Sequence, residues 1–286
     1  MQTIMLTLQS AAHRWLHKTV LGDQISMCVF FFGGFFVLWY ELCHIASNFH
    51  TEWTVNYTLN VVLAIFVAVN IYSNWLMVFL TDVAGKEIVF PTGSAPEGWY
   101  YCDGCVANRP PRAHHCPLCK VCILKHDHHC WFAGSCIGYA NHRYFFALVI
   151  HMTVAAIYCN IYNWSFVWSV KGDISFFNIV SFLLPHVAAV MGQETWYSFF
   201  ITTLSMVGFA LAVIFSWLLQ IQVVQILHGQ TRYERKKGIT QYDQGVWANL
   251  EEVLGHHKFL VLLCPWLPSR LPGDGVRFYS QQQKAN

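Results

Sequence analysis

Between residues 102 and 136 the chain reads Cys102-x2-Cys105, then His114-His115-Cys116-x2-Cys119-x2-Cys122, then Asp127-His128-His129-Cys130, then Cys136. Seven of the eleven cysteines fall in this segment, interleaved with five histidines. Tetrahedral Zn²⁺ takes Cys thiolates and His nitrogens, and two residues between paired cysteines suit a tight turn around one ion. A secreted disulfide scaffold would be short and would not keep histidines among its cysteines, so metal ligation in a reducing compartment is the expectation. Two closed sites need eight ligands, and seven cysteines are available. If both sites are of the three-Cys, one-His kind, one cysteine is spare. The spacing does not say which cysteine that is, nor which two of His114, His115, His126, His128 and His129 ligate.

Cys130 stands apart chemically, because it follows an Asp-His-His run. A thiol with an ordinary pKa near 8.5 is mostly protonated at neutral pH and profits from a neighbouring base. His128 can take that proton, and Asp127 can fix the imidazole tautomer and stabilise its cation. If the backbone is extended here, residues 128 and 130 share one side and residue 129 faces the other. His129 would then be free for metal while His128 serves Cys130. In the plainer alternative Cys130 is an idle spare thiol.

The elements that position this segment are apolar. Of 286 residues, 55% are hydrophobic and 11% charged, with a mean hydropathy of +0.38. A soluble domain carries about 25% charge, and disorder needs low hydrophobicity. The composition therefore points away from an ordinary cytosolic enzyme and excludes a disordered chain, and a formal net charge of +2 gives no ground for a nucleic-acid partner. Four stretches approach the roughly 20 apolar residues that cross a bilayer, at residues 25–45, 57–80, 144–170 and 197–220. Lys and Arg gather on cytosolic flanks. Arg14 and Lys18 precede the first span, Lys86 to Arg143 lie between the second and third, and Arg235-Lys236-Lys237 follow the fourth. Four spans put all of these in the cytosol, with both termini. Ile174–Met191, broken by Pro185 and His186, is then a lumenal, interfacial or re-entrant segment.

The expected organisation is an all-α integral membrane protein. An interfacial amphipathic helix covers 1–24, and a cytosolic Cys-rich domain with two zinc ions covers 81–143, between spans two and three. A lumenal loop covers 171–196 and a cytosolic tail 221–286. Glu41, near the end of the first span, is expected as an interfacial group. The cysteines outside the central segment (Cys28, Cys43, Cys159 and Cys264) read as small apolar fillers.

The segment Cys102–Tyr144 resembles the Cys-rich domain of the DHHC protein S-acyltransferases, or palmitoyltransferases. The resemblance rests on Cys102-x2-Cys105, Arg109-Pro110-Pro111-Arg112-x-His114-His115-Cys116-x2-Cys119-x2-Cys122, Asp127-His128-His129-Cys130, Cys136-x-Gly138 and Asn141-x3-Phe145. In the tail, Tyr242-x2-Gly245-x3-Asn249 is similar to the family's aromatic and Asn motif. With neither ankyrin nor SH3 modules, the chain is most similar to the small animal branch. The resemblance implies that Cys130 takes an acyl chain from acyl-CoA as a thioester and passes it to a cysteine of a membrane-associated substrate protein. It implies His128 as base and Asp127 as its orienter. It also implies two structural zinc sites, one of Cys102, Cys105, His115 and Cys122 and one of Cys116, Cys119, His129 and Cys136. Palmitoyl-CoA is the implied co-substrate, and an ER or Golgi membrane the implied location.

Three stretches depart from the family pattern. Pro-Trp-x-Asn-Asn after the catalytic Cys is here Trp131-Phe132-Ala133-Gly134-Ser135. Thr-Thr-x-Glu after span four is Thr231-Arg232-Tyr233-Glu234, and Asp-Pro-Gly after span two is Asp82-Val83-Ala84-Gly85. These departures keep one rival in view, a catalytically silent zinc-containing membrane adaptor. A zinc hydrolase is disfavoured, since eight protein ligands leave no open position for water.

Overall fold

The computed structural model describes residues 20–51, 54–84 and 96–278. Among the described residues, four helices are long and apolar enough to cross a membrane: α1 (Leu21–Phe49), α2 (Val55–Leu80), α3 (His142–Lys171) and α6 (Trp196–Leu227). The protein is thus a multi-pass membrane protein. Each helix runs past its apolar stretch, because once the helix is nucleated each added residue gains a backbone hydrogen bond at little cost. Most of the interfacial helix expected at 1–24 lies outside the described residues, and Leu21–Gln24 form the first turn of α1. Within α1, Glu41–Ile45 form a π-helical turn.

The interrupted stretch after α3 forms two short helices, α4 (Phe176–Leu183) and α5 (Pro185–Val190). Ser175 caps α4 by accepting from the Asn178 N–H. Pro185 occupies the first turn of α5, where its missing N–H costs nothing. Neither helix is long enough to span a bilayer.

Between α2 and α3 the chain forms three separate antiparallel hairpins, each of two three-residue strands. They are β1 (Tyr100–Cys102) with β2 (Ala107–Arg109), β3 (His114–Cys116) with β4 (Val121–Ile123), and β5 (His128–Cys130) with β6 (Ser135–Ile137). An isolated hairpin is at best marginally stable in water, so these need something other than sheet pairing to hold them. The tail adds α7 (Arg232–Lys237), α8 (Val246–Leu254) and the single turn α9 (Leu260–Leu263).

The chain divides into two compact units. One gathers the described residues up to Gly34, those within Asn70–Leu148 and those from Gln220 onward. The other comprises Phe35–Val69 and Val149–Leu219. The second unit has a core of Tyr40, Ile45, Phe166, Val167 and Ile201. It buries an ion pair between Lys171 and Glu194. Glu41, expected as an interfacial group, accepts from Asn163 Nδ2 at 2.6 Å.

The first unit carries the Cys-rich segment and the tail. Its inner packing joins Val83, Ala84 and Ile123 to Cys116 and Cys136. The tail is fastened to it through Arg112, whose guanidinium is buried. Arg112 donates to Glu234 through Nε (2.8 Å) and Nη2 (2.9 Å), to Glu252 (3.1 Å) and to the Gly229 carbonyl (2.7 Å). The rings of Tyr242 and Phe278 lie 4.4 and 4.6 Å from it. A planar fork with five donors between two aromatic faces is a use that Lys cannot replace.

Candidate functional site: two cysteine–histidine clusters and the strand between them

Each cluster is built from one knuckle and one cross-strand pair. Cys102 and Cys105 close a turn in which Val106 takes a left-handed conformation (φ 52°), and Cys116 and Cys119 close one in which Lys120 does (φ 56°). The cross-strand pairs come from strand register, with His115 opposite Cys122 in β3–β4 and His129 opposite Cys136 in β5–β6. The structure brings Cys102, Cys105, His115 and Cys122 together, and separately Cys116, Cys119, His129 and Cys136, with each set's ligand atoms all within 4.8 Å of one another. All the cysteines are free thiols.

The spacings suit a tetrahedral ion. Metal–sulfur bonds near 2.3 Å and metal–nitrogen bonds near 2.0 Å give tetrahedron edges of about 3.5–3.8 Å. In the second cluster Cys119 Sγ lies 3.4 Å from His129 Nδ1 and 3.5 Å from Cys136 Sγ. Cys136 and Cys116 Sγ lie 3.5 and 3.7 Å from the same nitrogen. In the first, Cys105 Sγ is 3.2 Å from His115 Nδ1. Burial would lower the His129 pKa, but Cys116, Cys119 and the Asp23 carboxylate outweigh it and push it up to about 10. His129 Nε2 meets Asp23 Oδ1 at 3.1 Å, so a carboxylate holds the ring with Nδ1 toward the cluster. Both clusters could therefore hold metal ions.

His114 and His126 are in neither set. The His114 ring packs on Tyr233 at 4.4 Å, and burial, then Arg109 and His126, lower its pKa to about 4. Cys130 is the one cysteine of the segment left outside both clusters.

Strand β5 separates the two histidines of the Asp-His-His-Cys run. Alternation puts His128 and Cys130 on one face and His129 on the other. Asp127 is fully buried and accepts from His128 Nδ1 at 2.7 Å. Its burial would raise the carboxyl pKa; the His128 hydrogen bond and charge, with His142 and the Arg232 N–H, hold it below the usual carboxylate range. The His128 ring meets Phe145 edge-on at 4.9 Å. Burial pushes the Cys130 thiol up to about 12, against backbone hydrogen bonds from Ala133 and Phe132. Those amides belong to a 3₁₀ turn over Trp131–Ala133 that Cys130 caps. Burial thus favours the protonated thiol at Cys130.

The departures from the family pattern leave the local structure formed. Phe132 stacks on Phe30 at 5.4 Å, and its carbonyl accepts from Trp75 Nε1 at 2.7 Å. Gly134 takes a left-handed conformation (φ 56°), which glycine adopts without steric cost, and a Cβ there would press on the Met27 thioether. Thr231 caps α7 in a reciprocal box with Glu234. Arg232, in place of the second Thr, donates its main-chain N–H to Asp127 Oδ1 at 2.7 Å, a contact that any residue with an amide proton can make.

Four residues at the site carry no signal in the sequence pattern. Gln222 and Gln225 reach Asp127 from α6, His142 of α3 bonds to Gln222, and Asp23 reaches His129 from α1. A pair of Gln at i and i+3 closing an apolar span is the one trace they leave.

A membrane frame with two interleaved Cys/His clusters and an Asp-His-His-Cys strand defines the class: a DHHC-domain membrane protein. The DHHC palmitoyltransferase family matches residues 96–239. The probable palmitoyltransferase ZDHHC24 of Danio rerio is 34% identical over 80% of this chain and 78% of its own length. That of Homo sapiens is 30% identical over 77% and 78%. Palmitoyltransferase ZDHHC16 of Mus musculus is 39% identical over 32% of this chain and 27% of its own. The chain belongs to the DHHC palmitoyltransferase family.

Proposed function

We propose that this protein is a protein-cysteine S-palmitoyltransferase using acyl-CoA, with Cys130 as nucleophile, His128 as base and Asp127 as its orienter. The observation that carries the reading is the β5–β6 hairpin. It spends His129 and Cys136 on one cluster while leaving Cys130 and the Asp127–His128 pair on the opposite face. The two clusters hold structural Zn²⁺. Their eight protein ligands supply the hairpins with folding energy and leave no coordination position for catalysis.

In the first half-reaction His128 removes the Cys130 proton as the sulfur attacks the thioester carbonyl of acyl-CoA. The carbon–sulfur bond to CoA breaks, and CoA leaves as a thiol by taking that proton. In the second, the thiol of a substrate protein attacks the acyl-Cys130 carbonyl, His128 takes its proton, and Cys130 recovers it on leaving. One thioester replaces another at each step, so placement and proton handling matter more than driving force. Because burial keeps Cys130 protonated at rest, the base is needed at the moment of attack. The charge distribution along the chain supports cytosolic termini and a cytosolic Cys-rich domain, where acyl-CoA and substrate cysteines are found. The proposal places the protein in an ER or Golgi membrane, with membrane-associated proteins as substrates and the bilayer itself as partner.

The test is autoacylation of the purified full chain with labelled palmitoyl-CoA. Label that neutral hydroxylamine removes, absent from Cys130→Ser and reduced roughly a hundred-fold or more in His128→Ala, is the expected result. Equal labelling of wild type and Cys130→Ser would overturn the assignment.

A further inference from the structure

Asp127 is held by more than its histidine. A carboxylate has two oxygens and about four acceptor positions, and four donors reach this one. Oδ2 takes His128 Nδ1 at 2.7 Å and Gln222 Nε2 at 3.5 Å, while Oδ1 takes the Arg232 N–H at 2.7 Å and Gln225 Nε2 at 3.3 Å. The two glutamine contacts are long, yet their direction is set from behind. His142 Nε2 donates to Gln222 Oε1 at 2.8 Å, so the Gln222 amide presents its NH₂ forward, to Asp127 and to Gln225 Oε1 at 3.2 Å. With its own oxygen occupied, Gln225 likewise presents NH₂ to the carboxylate. Gln222, Gln225 and His142 are each at most 3% exposed, so bulk solvent does not reach these groups.

We infer that Gln222 and Gln225, with His142 behind them, are positioning residues for the reaction, clamping the Asp127 carboxylate in the orientation that holds His128. The inference rests on the acyl-transfer reading above. The torsion that turns a carboxylate about its own axis is soft and roughly two-fold. His128 and the Arg232 N–H hold one oxygen each at full strength, and the glutamines close the positions into which the group would otherwise rotate. An acceptor-only Asp127 with every position filled has one place for the His128 N–H, which fixes that tautomer and frees the other ring nitrogen as base.

The alternative is that two buried glutamines merely fill space at the end of α6. Methionine separates the readings, because it keeps the length and flexibility of Gln without its hydrogen bonds. The full chain in detergent is compared as wild type, Cys130→Ser, Gln222→Met and Gln225→Met. The measurements are autoacyl labelling, kcat and KM of CoA release from palmitoyl-CoA with a cysteine peptide as acyl acceptor, bound zinc and the midpoint of thermal unfolding. Gln225→Met leaves the His142–Gln222 bond intact and so guards against a variant that fails to fold.

The expected result is a roughly ten-fold or greater loss of kcat with KM, zinc content and unfolding midpoint unchanged, and a loss at least as large in Gln222→Glu, which sets a second anion against Asp127. Wild-type kcat in both Met variants, a change confined to KM, or loss of zinc and fold in both would overturn the positioning role. If wild type itself labels no more than Cys130→Ser, the acyl-transfer reading fails first and this inference falls with it.

Discussion

The two Cys/His clusters follow one construction, a knuckle plus a cross-strand pair, yet they sit in different surroundings. The second is set in packed interior: Cys136 is fully buried, Cys116 is 2% exposed, and Val83, Ala84 and Ile123 pack around them. Its histidine has a carboxylate behind it in Asp23 and lies between His128 and Cys130 on one strand. The first lies beside β1, where Tyr100 and Tyr101 are both 58% exposed, although its ligands are buried to the same pattern as the second's, with Cys105 and His115 part-buried like Cys119 and His129. Equal spacing thus produces two sites of unequal consequence. One joins the β1–β2 hairpin to β3–β4, and the other joins β3–β4 to the strand that carries Cys130.

Removing one ligand from each sharpens this contrast most. Zinc-binding free energy, on the order of 10 kcal/mol, is folding free energy in domains without a core. Cys136→Ala should release one ion, free the β5–β6 hairpin and reduce autoacylation at least about a hundred-fold. Cys105→Ala should also release one ion but leave measurable labelling, because the strand with Cys130 keeps its own cluster. Zinc content and labelling measured on the same preparations check this. Equal activity in the two variants would break the comparison.

A smaller effect is expected behind the second cluster. Outer partners of metal-bound histidines are typically worth about 10- to 100-fold in metal affinity. Asp23→Asn should therefore lower the chelator concentration that strips one of the two ions while leaving the other unmoved. Both ions leaving together would show that Asp23 does not distinguish the sites.

Much of this was legible in the sequence because it is written in local patterns. Apolar runs mark the four spans, Cys-x2-Cys marks each knuckle, and the run Asp127 to Cys130 marks the strand where side chains alternate between two tasks. What stayed hidden depends on convergence in space. Gln222 and Gln225 read as the polar end of an apolar helix, and His142 as a residue near a membrane boundary. Asp23 reads as an ordinary acidic group in a first helical turn, where the helix dipole favours it. Only the fold shows that the two glutamines meet at Asp127 with His142 behind them, and that Asp23 meets His129. The substitution of Arg232 for Thr looks damaging in sequence and is mild in structure, because the contact to Asp127 comes from the main chain.

The central claim is a division of labour among seven cysteines: six hold metal and Cys130 alone carries the acyl group. Native mass spectrometry of the full chain after incubation with palmitoyl-CoA, followed by peptide mapping, tests it most directly. The account predicts molecules that carry two zinc ions and one acyl group together, with the acyl group on Cys130. Acylation of a cluster cysteine with loss of a zinc ion, or two zinc ions with no acyl group, would contradict it.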